Sequence, residues 1–344
     1  MPTSRRRELN RALLARQLLL ERHHMLLPDA LERVAGLQSQ YAPTMYIGLW
    51  SRLETFERDA LTRALEERTV IQATLMRATI HLVSRADYWP FALAVREARR
   101  PWWLRARRNE LEAEEMESAA RMLRHELRGG GALTRKEIEQ MVGKDRTAGV
   151  GLWLDLVRVP PSGTWERRRA DLYAAAGDWV GDPPEIDADA AIDHLVRRYV
   201  AGFGPASRKD VASFTGIPLT PLRPVLERLE LERVEGDDGE ELLDLPGSPR
   251  PDADTPAPPR LLGTWEAALL VHARRTGVLP EEHRPKIFHV RKPHSSPTFL
   301  IDGAVAGTWR HDDGRIELEP FAKLDAADAR ALRDEDHRLA EFHA

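Results

Sequence analysis

The chain has 344 residues, is 42% hydrophobic and 6% aromatic, and carries a formal net charge of −4. That length and apolar content fit two or more globular domains and exclude a disordered chain. The absence of cysteine excludes disulfides, thiolate metal centres, iron–sulfur clusters and cysteine nucleophiles.

No run approaches ~18 apolar residues, so no membrane association is expected. The amino terminus lacks the apolar segment of a secretory signal, which points to a cytoplasmic protein. Of the 51 basic residues, 45 are arginine. Arginine makes bidentate contacts to phosphate and stacks on bases, so the bias permits a DNA partner. A high-GC genome gives the same bias, so composition alone does not establish one.

In chain order, residues 5–22 read as an amphipathic helix with Leu9, Leu13, Leu14 and Leu18 inward. Pro28 opens a second helix that runs out near Gly36, and two more helices are predicted at 43–53 and 57–67. The period then changes. Residues 70–75 and 79–83 are rich in β-branched types and read as a hairpin. Helices followed by a hairpin are the order of a winged helix. A long arginine-rich helical stretch follows and stops at Gly129-Gly130-Gly131.

Residues 134–143 (TRKEIEQMVG) and 207–216 (SRKDVASFTG) then repeat one pattern at an offset of 73 residues. Each begins with a hydroxyl N-cap, places an acid at N3 and closes on glycine. Each is expected to continue into a further helix, at 148–157 and 219–231, and then a hairpin. The hairpins pair 157–159 with 170–174 and 232–234 with 241–245. Residues 246–259 (PGSPRPDADTPAPP) form a proline-rich linker. Beyond it, strands are expected at 287–290, 297–301, 305–309 and 315–318, and a terminal helix at 325–342.

The fold class expected is therefore mainly α with short β-hairpins (α+β). Tandem winged-helix units occupy 1–112, 113–184 and 185–255, the last with the linker. A mixed α/β module occupies 256–344.

Few of the chemical motifs survive inspection. His125-Glu126 lacks the second histidine of a zincin helix. His311-Asp312-Asp313-Gly314 reads as a turn and His23-His24 as a helix end. Gly202-Phe203-Gly204 does not complete a dinucleotide loop, and no phosphate-binding loop or serine-nucleophile elbow occurs. No cofactor, nucleotide or metal is expected.

The segment around Gln38-Ser39-Gln40 is more informative. Gly36 and Pro43 take the chain out of helical geometry there. In an extended segment residues i and i+2 share a face, so both carboxamides would point at one spot. An amide is neither a strong acid nor a base, but its carbonyl can orient a water or stabilise positive charge. A polar helix end is the plain alternative. Alternation puts Arg77, Thr79 and His81 on one face of the first hairpin, which would otherwise be an ordinary solvent-facing strand. Residues 99–108 (RRPWWLRARR) either follow a phosphate backbone or pack their tryptophans into a core. Arg291, Lys292 and His294 fall at a predicted hairpin tip, where basic residues could enter a groove.

These residues carry a resemblance. Residues 36–40 (GLQSQ), 76–83 (MRATIHLV), 278–284 (VLPEEHR), 299–303 (FLIDG) and 307–310 (GTWR) resemble the winged-helix DNA-binding family that includes the AlkZ/YcaQ-type DNA glycosylases, over about residues 9–325. The resemblance implies tandem winged helices around a concave face that binds double-stranded DNA, and it adds Arg310 to Arg77, His81, Arg291, Lys292 and His294 as DNA contacts. Its glycosylase members carry a Gln-aliphatic-Gln or Gln-aliphatic-Asp motif, matched here at Gln38 and Gln40. This chain departs from the motif at the polar Ser39.

The chemistry implied is hydrolysis of the N-glycosidic bond of a cationic alkylated base, N7-alkylguanine foremost, including bulky or crosslinked adducts. The protein would act as a monomer. The rival reading is a non-catalytic DNA-binding protein such as a transcriptional regulator. A third is a resistance protein that sequesters a genotoxin.

Overall fold

The computed structural model describes residues 3–107, 111–270, 277–289 and 294–344. The amino-terminal part contains α1 (Ser4–Arg16), α2 (Leu27–Arg33), β1 (Leu37–Gln38), α3 (Ala42–Arg52) and α4 (Arg58–Glu66). The hairpin β2 (Val70–Thr74) and β3 (Ile80–Ser84) and the long α5 (Arg85–Ala106) complete it. Next come α6 (Ala113–Glu126), β4 (Ala132–Thr134), α7 (Arg135–Val142), α8 (Lys144–Thr147), β5 (Leu156–Arg158), β6 (Leu172–Ala175) and α9 (Ala176–Val180). A third group holds α10 (Ala188–Phe203), α11 (Arg208–Thr215), α12 (Leu219–Arg228), β7 (Glu232–Glu235) and β8 (Glu241–Asp244). The carboxyl-terminal part holds β9 (Arg260–Leu262), α13 (Ala267–Leu270), α14 (Arg284–Ile287), β10 (Phe288–His289) and β11 (His294–Ser295). It ends with β12 (Thr298–Ile301), β13 (Ala304–Asp312), β14 (Arg315–Pro320) and α15 (Ala326–His343).

The repeated capping pattern forms as the spacing predicts. Thr134 caps α7 and Ser207 caps α11. In each, the hydroxyl accepts from the N3 backbone, and the N3 side chain, Glu137 or Asp210, accepts from the cap N–H. Gly143 and Gly216 end these helices at positive φ.

The continuation differs between the repeats. Residues 219–231 give α12, but 148–157 do not form the expected helix. They give a short 3₁₀ turn (Val150–Leu152) that leads into β5. Gly149 and Gly151 weaken helix here, and a Cβ at Gly149 would sit 2.3 Å from Trp103, which packs edge-on against Trp153 at 5.6 Å.

Pairing joins segments far apart in sequence. A six-stranded sheet runs β1-β3-β2-β5-β6-β4, with the first hairpin docked on the second through Gln72↔Arg158 and Ala73↔Val157. A four-stranded sheet runs β14-β13-β12-β9, and β7–β8 and β10–β11 are separate hairpins. The core crosses the ends of the chain: Leu31, Tyr46 and Leu61 share one cluster with Phe299, Trp309, Leu332 and Leu339.

The first helix is shorter than its hydrophobic pattern implies, because Leu18 adopts φ 56°. It also buries charge. Arg11 and Arg16 are 1% and 0% exposed. Their Nε atoms, with that of Arg7, donate to the carbonyls of Thr255, Pro249 and Ala253 in the proline-rich segment. Arg16 also forms a fully buried fork with Asp244, at 2.6 and 2.9 Å. Arginines thus strap the linker onto α1. Among the described residues no helix is long and apolar enough to cross a membrane, and no group of three or more His, Asp or Glu is placed to hold a metal.

Candidate active site

A helix stop, a two-residue strand and a helix start place the glutamines. α2 ends through Ala35 and Gly36, both at positive φ, and the Gly36 N–H returns to Leu31 O at 2.8 Å. A Cβ at Gly36 would lie 2.9 Å from Val83 Cγ1 and 3.0 Å from Leu82 O, so only glycine lets the chain drop this close to β3. Leu37 and Gln38 then pair with Leu82 and His81, and Ser39 N donates to Ile80 O at 2.8 Å. Pro43, in the first turn of α3, ends the extended segment.

Both amide oxygens are anchored on one turn, 77–80. Gln38 Oε1 accepts from Arg77 Nη2 at 3.0 Å, and Gln40 Oε1 accepts from Ile80 N at 3.0 Å. Each faces an obligate donor, which fixes the amide orientation. Neither Nε2 has a hydrogen-bond partner among the described residues. Gln38 is 6% exposed and Gln40 lies at the surface. The two oxygens thus meet protein donors, each keeping a second lone pair, rather than standing free.

Arg77 organises the cluster. The expected alternation of Arg77, Thr79 and His81 along a strand does not hold, because β3 starts only at Ile80. Arg77 and Ala78 form a tight turn at φ 53° and 55°. The turn brings the Arg77 guanidinium back over Gln38. It donates to Gln38 Oε1, to Phe214 O of α11 at 2.9 Å and toward His81 Nε2 at 3.4 Å, and it lies 5.2 Å from the Phe214 ring.

Burial pushes its pKa down to about 10, so it stays a cation at neutral pH. No carboxylate lies within ion-pair distance of it among the described residues. His81 is 2% exposed, and burial, reinforced by the Arg77 charge, pushes its pKa down to about 3. Its Nδ1 faces Thr79 O at 3.0 Å, so Nδ1 carries the proton and Nε2 is the bare nitrogen toward Arg77. His81 is therefore neutral and sealed beneath Arg77, not presented at the surface where the DNA contact expected of it would need it.

The remaining expected DNA contacts lie outside this hydrogen-bonded cluster. Arg310, on β13, is exposed and donates from Nε to Glu317 across the hairpin at 2.6 Å. Arg291 and Lys292 lie outside the described residues, and His294 is placed by its backbone alone, in β11.

Two features escape the sequence reading. A cleft of about 260 Å³ opens at Tyr41, the residue after Gln40, and is walled also by Arg168, Trp309, Arg310, His311 and His343. His311, expected in a turn, lies in β13 and stacks on His343 at 4.2 Å and 14°. Burial, with His311 and nearby arginines, pushes the His343 pKa down to about 4. Only the exposed basic and aromatic types could have hinted at this wall, since its partners come from four separate segments.

Comparison with known proteins agrees with this architecture. An interstrand DNA cross-link repair glycosylase of Streptomyces sahachiroi is 23% identical over 359 residues, spanning 94% of this chain and 93% of that protein. The solved structure of the Streptomyces sahachiroi DNA glycosylase AlkZ matches with a TM-score of 0.82 at 21% identity, covering 99% of this chain and 97% of that one, and shows the same mixed α+β fold. The DNA glycosylase AlkZ-like family model matches residues 31–342, so the chain belongs to the AlkZ-like DNA glycosylases, hydrolases of N-glycosyl bonds.

Proposed function

We propose that the protein is a monofunctional DNA glycosylase acting as a cytoplasmic monomer on double-stranded DNA. Its substrates are cationic alkylated bases, N7-alkylguanine foremost, including bulky or crosslinked adducts. Tandem winged-helix units at 1–112, 113–184 and 185–255, with the module 256–344, grip the duplex.

One observation carries the choice of substrate. Three side chains are bonded together at the site, the Gln38 amide, the Arg77 guanidinium and the His81 imidazole held neutral; the Gln40 amide is anchored beside them on the Ile80 backbone, and no carboxylic acid joins them among the described residues. Such a site has no general acid to protonate a departing base. It therefore needs a base that leaves without help, and alkylation at a ring nitrogen provides one. The C1′–N9 bond breaks with its electron pair moving to the base, which cancels the base's positive charge. A water oxygen then bonds to C1′ and releases its proton to solvent. The developing charge resembles that of glycoside hydrolysis. The second lone pairs of Gln38 and Gln40 serve that cation and the attacking water. Arg77 positions Gln38, and with Arg291, Lys292, His294 and Arg310 it makes up the proposed DNA-binding set. His81 serves that set through Arg77.

The test is base release from duplexes carrying N7-methylguanine, N3-methyladenine or an N7-linked crosslink. Wild type should generate free base and abasic sites. Gln38→Ala and Gln40→Ala should lower the single-turnover rate about 10²-fold while duplex affinity stays within a few-fold. Absence of base release by wild type across the panel overturns the proposal.

A further inference from the structure

Helix α5 carries an arginine that the proposed chemistry does not use. Arg96 pairs with Asp155 at 2.7 Å, and Arg100 donates to Leu152 O at 2.6 Å and approaches Glu97. Between them, half-buried Arg99 has no hydrogen bond or ion pair among the described residues. Its one close contact of this kind is the ring of Trp102, 5.6 Å from the guanidinium carbon. Trp102 is 55% exposed, whereas the adjacent Trp103 packs inside against Trp153. A guanidinium has five donors and no acceptor role, so a half-buried one without a protein acceptor is costly unless a ligand or solvent fills it.

The surroundings select an anion. Arg99 lies close enough to Arg77 for its charge to disfavour that of Arg77, burial disfavours the charge of Arg99 itself, and no carboxylate pairs with either among the described residues. Their junction is kept clear by Gly216. A Cβ there would sit 3.2 Å from both Arg99 Nη1 and the Arg77 backbone nitrogen, and φ is +72°. The Trp102 ring, 5.6 Å from the guanidinium carbon, attracts the cation and restricts its range before any ligand arrives, which lowers the entropy lost on binding. A planar fork beside a second cation matches the paired oxygens of a phosphodiester.

We propose that Arg99, steadied by Trp102, binds a backbone phosphate flanking the nucleotide presented to Gln38 and Gln40. This rests on the glycosylase reading for the identity of the strand, but not for the anion site itself.

The experiment measures duplex affinity against salt for wild type, Arg99→Gln, Arg99→Lys and Trp102→Ala. It then repeats the measurement with duplexes in which single phosphates around the lesion are replaced by methylphosphonate. Removing one phosphate contact flattens the log–log salt slope by about 0.9. Arg99→Gln should show that change, with about tenfold weaker binding at low salt. Arg99→Lys should keep the slope and lose part of the affinity, and Trp102→Ala should keep the slope. One methylphosphonate position should weaken wild type and leave Arg99→Gln unmoved.

Equal slopes and equal methylphosphonate profiles for wild type and Arg99→Gln overturn the inference, as does saturation of the site by inorganic phosphate with no methylphosphonate effect. Base release separates the two proposals. A wild type that releases no base but shows the Arg99 slope change loses the enzymatic reading and keeps the phosphate site. A releasing enzyme with no slope change loses the site alone.

Discussion

Ser39 stands between the two glutamines, where the motif implied by the family resemblance would put an aliphatic residue. It is 0% exposed, and its Oγ is sealed without a partner. Burying a hydroxyl without a hydrogen bond costs about 1–3 kcal/mol relative to a satisfied group. Ser39→Ala removes that hydroxyl and leaves a space one oxygen in size, so part of the gain is lost to packing. The backbone is unaffected, because Ser39 N still donates to Ile80 O and alanine accepts an extended segment. The net expectation is about 1 kcal/mol of stabilisation, or roughly 2 °C in Tm for a chain of this size. Urea unfolding and calorimetry read it directly. Base release per folded molecule should stay within about twofold of wild type, since the flanking amides keep their anchors at Arg77 and Ile80. A neutral or destabilised Ser39→Ala would show that the hydroxyl has an acceptor or donor after all. A rate loss as large as that of Gln38→Ala would place the hydroxyl in the chemistry.

Other outcomes follow from the same geometry. Arg77 holds a left-handed conformation, so Arg77→Gly should be about 1 kcal/mol more stable than Arg77→Ala. Both should slow base release at saturating DNA by about 10–100-fold, and Arg77→Lys should not restore it, because one ammonium cannot reach both Gln38 and Phe214 O. Unchanged turnover in both would make Arg77 a structural pin. Asp244→Ala leaves Arg16 buried and uncompensated, so it should cost about 3–5 kcal/mol in urea unfolding; a loss below 1 kcal/mol would contradict the buried fork. His81 titrates near 6.5 when unfolded and near 3 when folded. Stability is therefore complete above pH 6.5 and falls as pH drops toward 3, because the unfolded chain takes the proton first. The slope is at most about 1.4 kcal/mol per pH unit, and His81→Asn should flatten it by one proton.

Much of the local structure could be read from residue order. The two capping boxes, the Gly36 stop and the Pro43 start are short-range signals, and each acts through the backbone within a few residues. What escaped depends on partners far along the chain. Arg11, Arg16 and Arg52 are residue types expected at the surface. Their burial is decided by Asp302, Asp244 and Glu266, more than 200 residues away. The Arg77 turn carries no glycine to announce it, so strand alternation seemed to continue through a segment that instead folds back onto Gln38. The pairing of β2 with β5 is equally silent, since hydrophobic alternation fixes which face is buried and not which strand lies alongside. For the site, the positions of Gln38 and Gln40 were legible, whereas the direction of their oxygens was set by Arg77 and Ile80.

On the proposed mechanism, a cluster that holds no carboxylic acid among the described residues has a consequence for the rate against pH. Between pH 5 and 7 a catalytic carboxyl or an ordinary histidine changes protonation, and a mechanism that uses one gains or loses rate roughly in proportion to the active form. Here the amides do not titrate, Arg77 remains charged up to about 10, and His81 remains neutral down to about 3. His343, across the neighbouring cleft, is neutral above about 4. With a substrate that carries its own positive charge, single-turnover base release should therefore be flat within about twofold from pH 5 to 7, measured at saturating DNA so that weaker binding does not enter. A tenfold rise toward acid would mean that the departing base is protonated by the protein, and a tenfold fall would mean that a titrating base activates the water. Either slope would place an ionising group at C1′ that the Gln38–Gln40–Arg77 cluster does not contain. Because His81→Asn removes the nearest imidazole without removing the amides, the same profile in that variant tells whether any slope found originates there or in a residue brought in with the DNA.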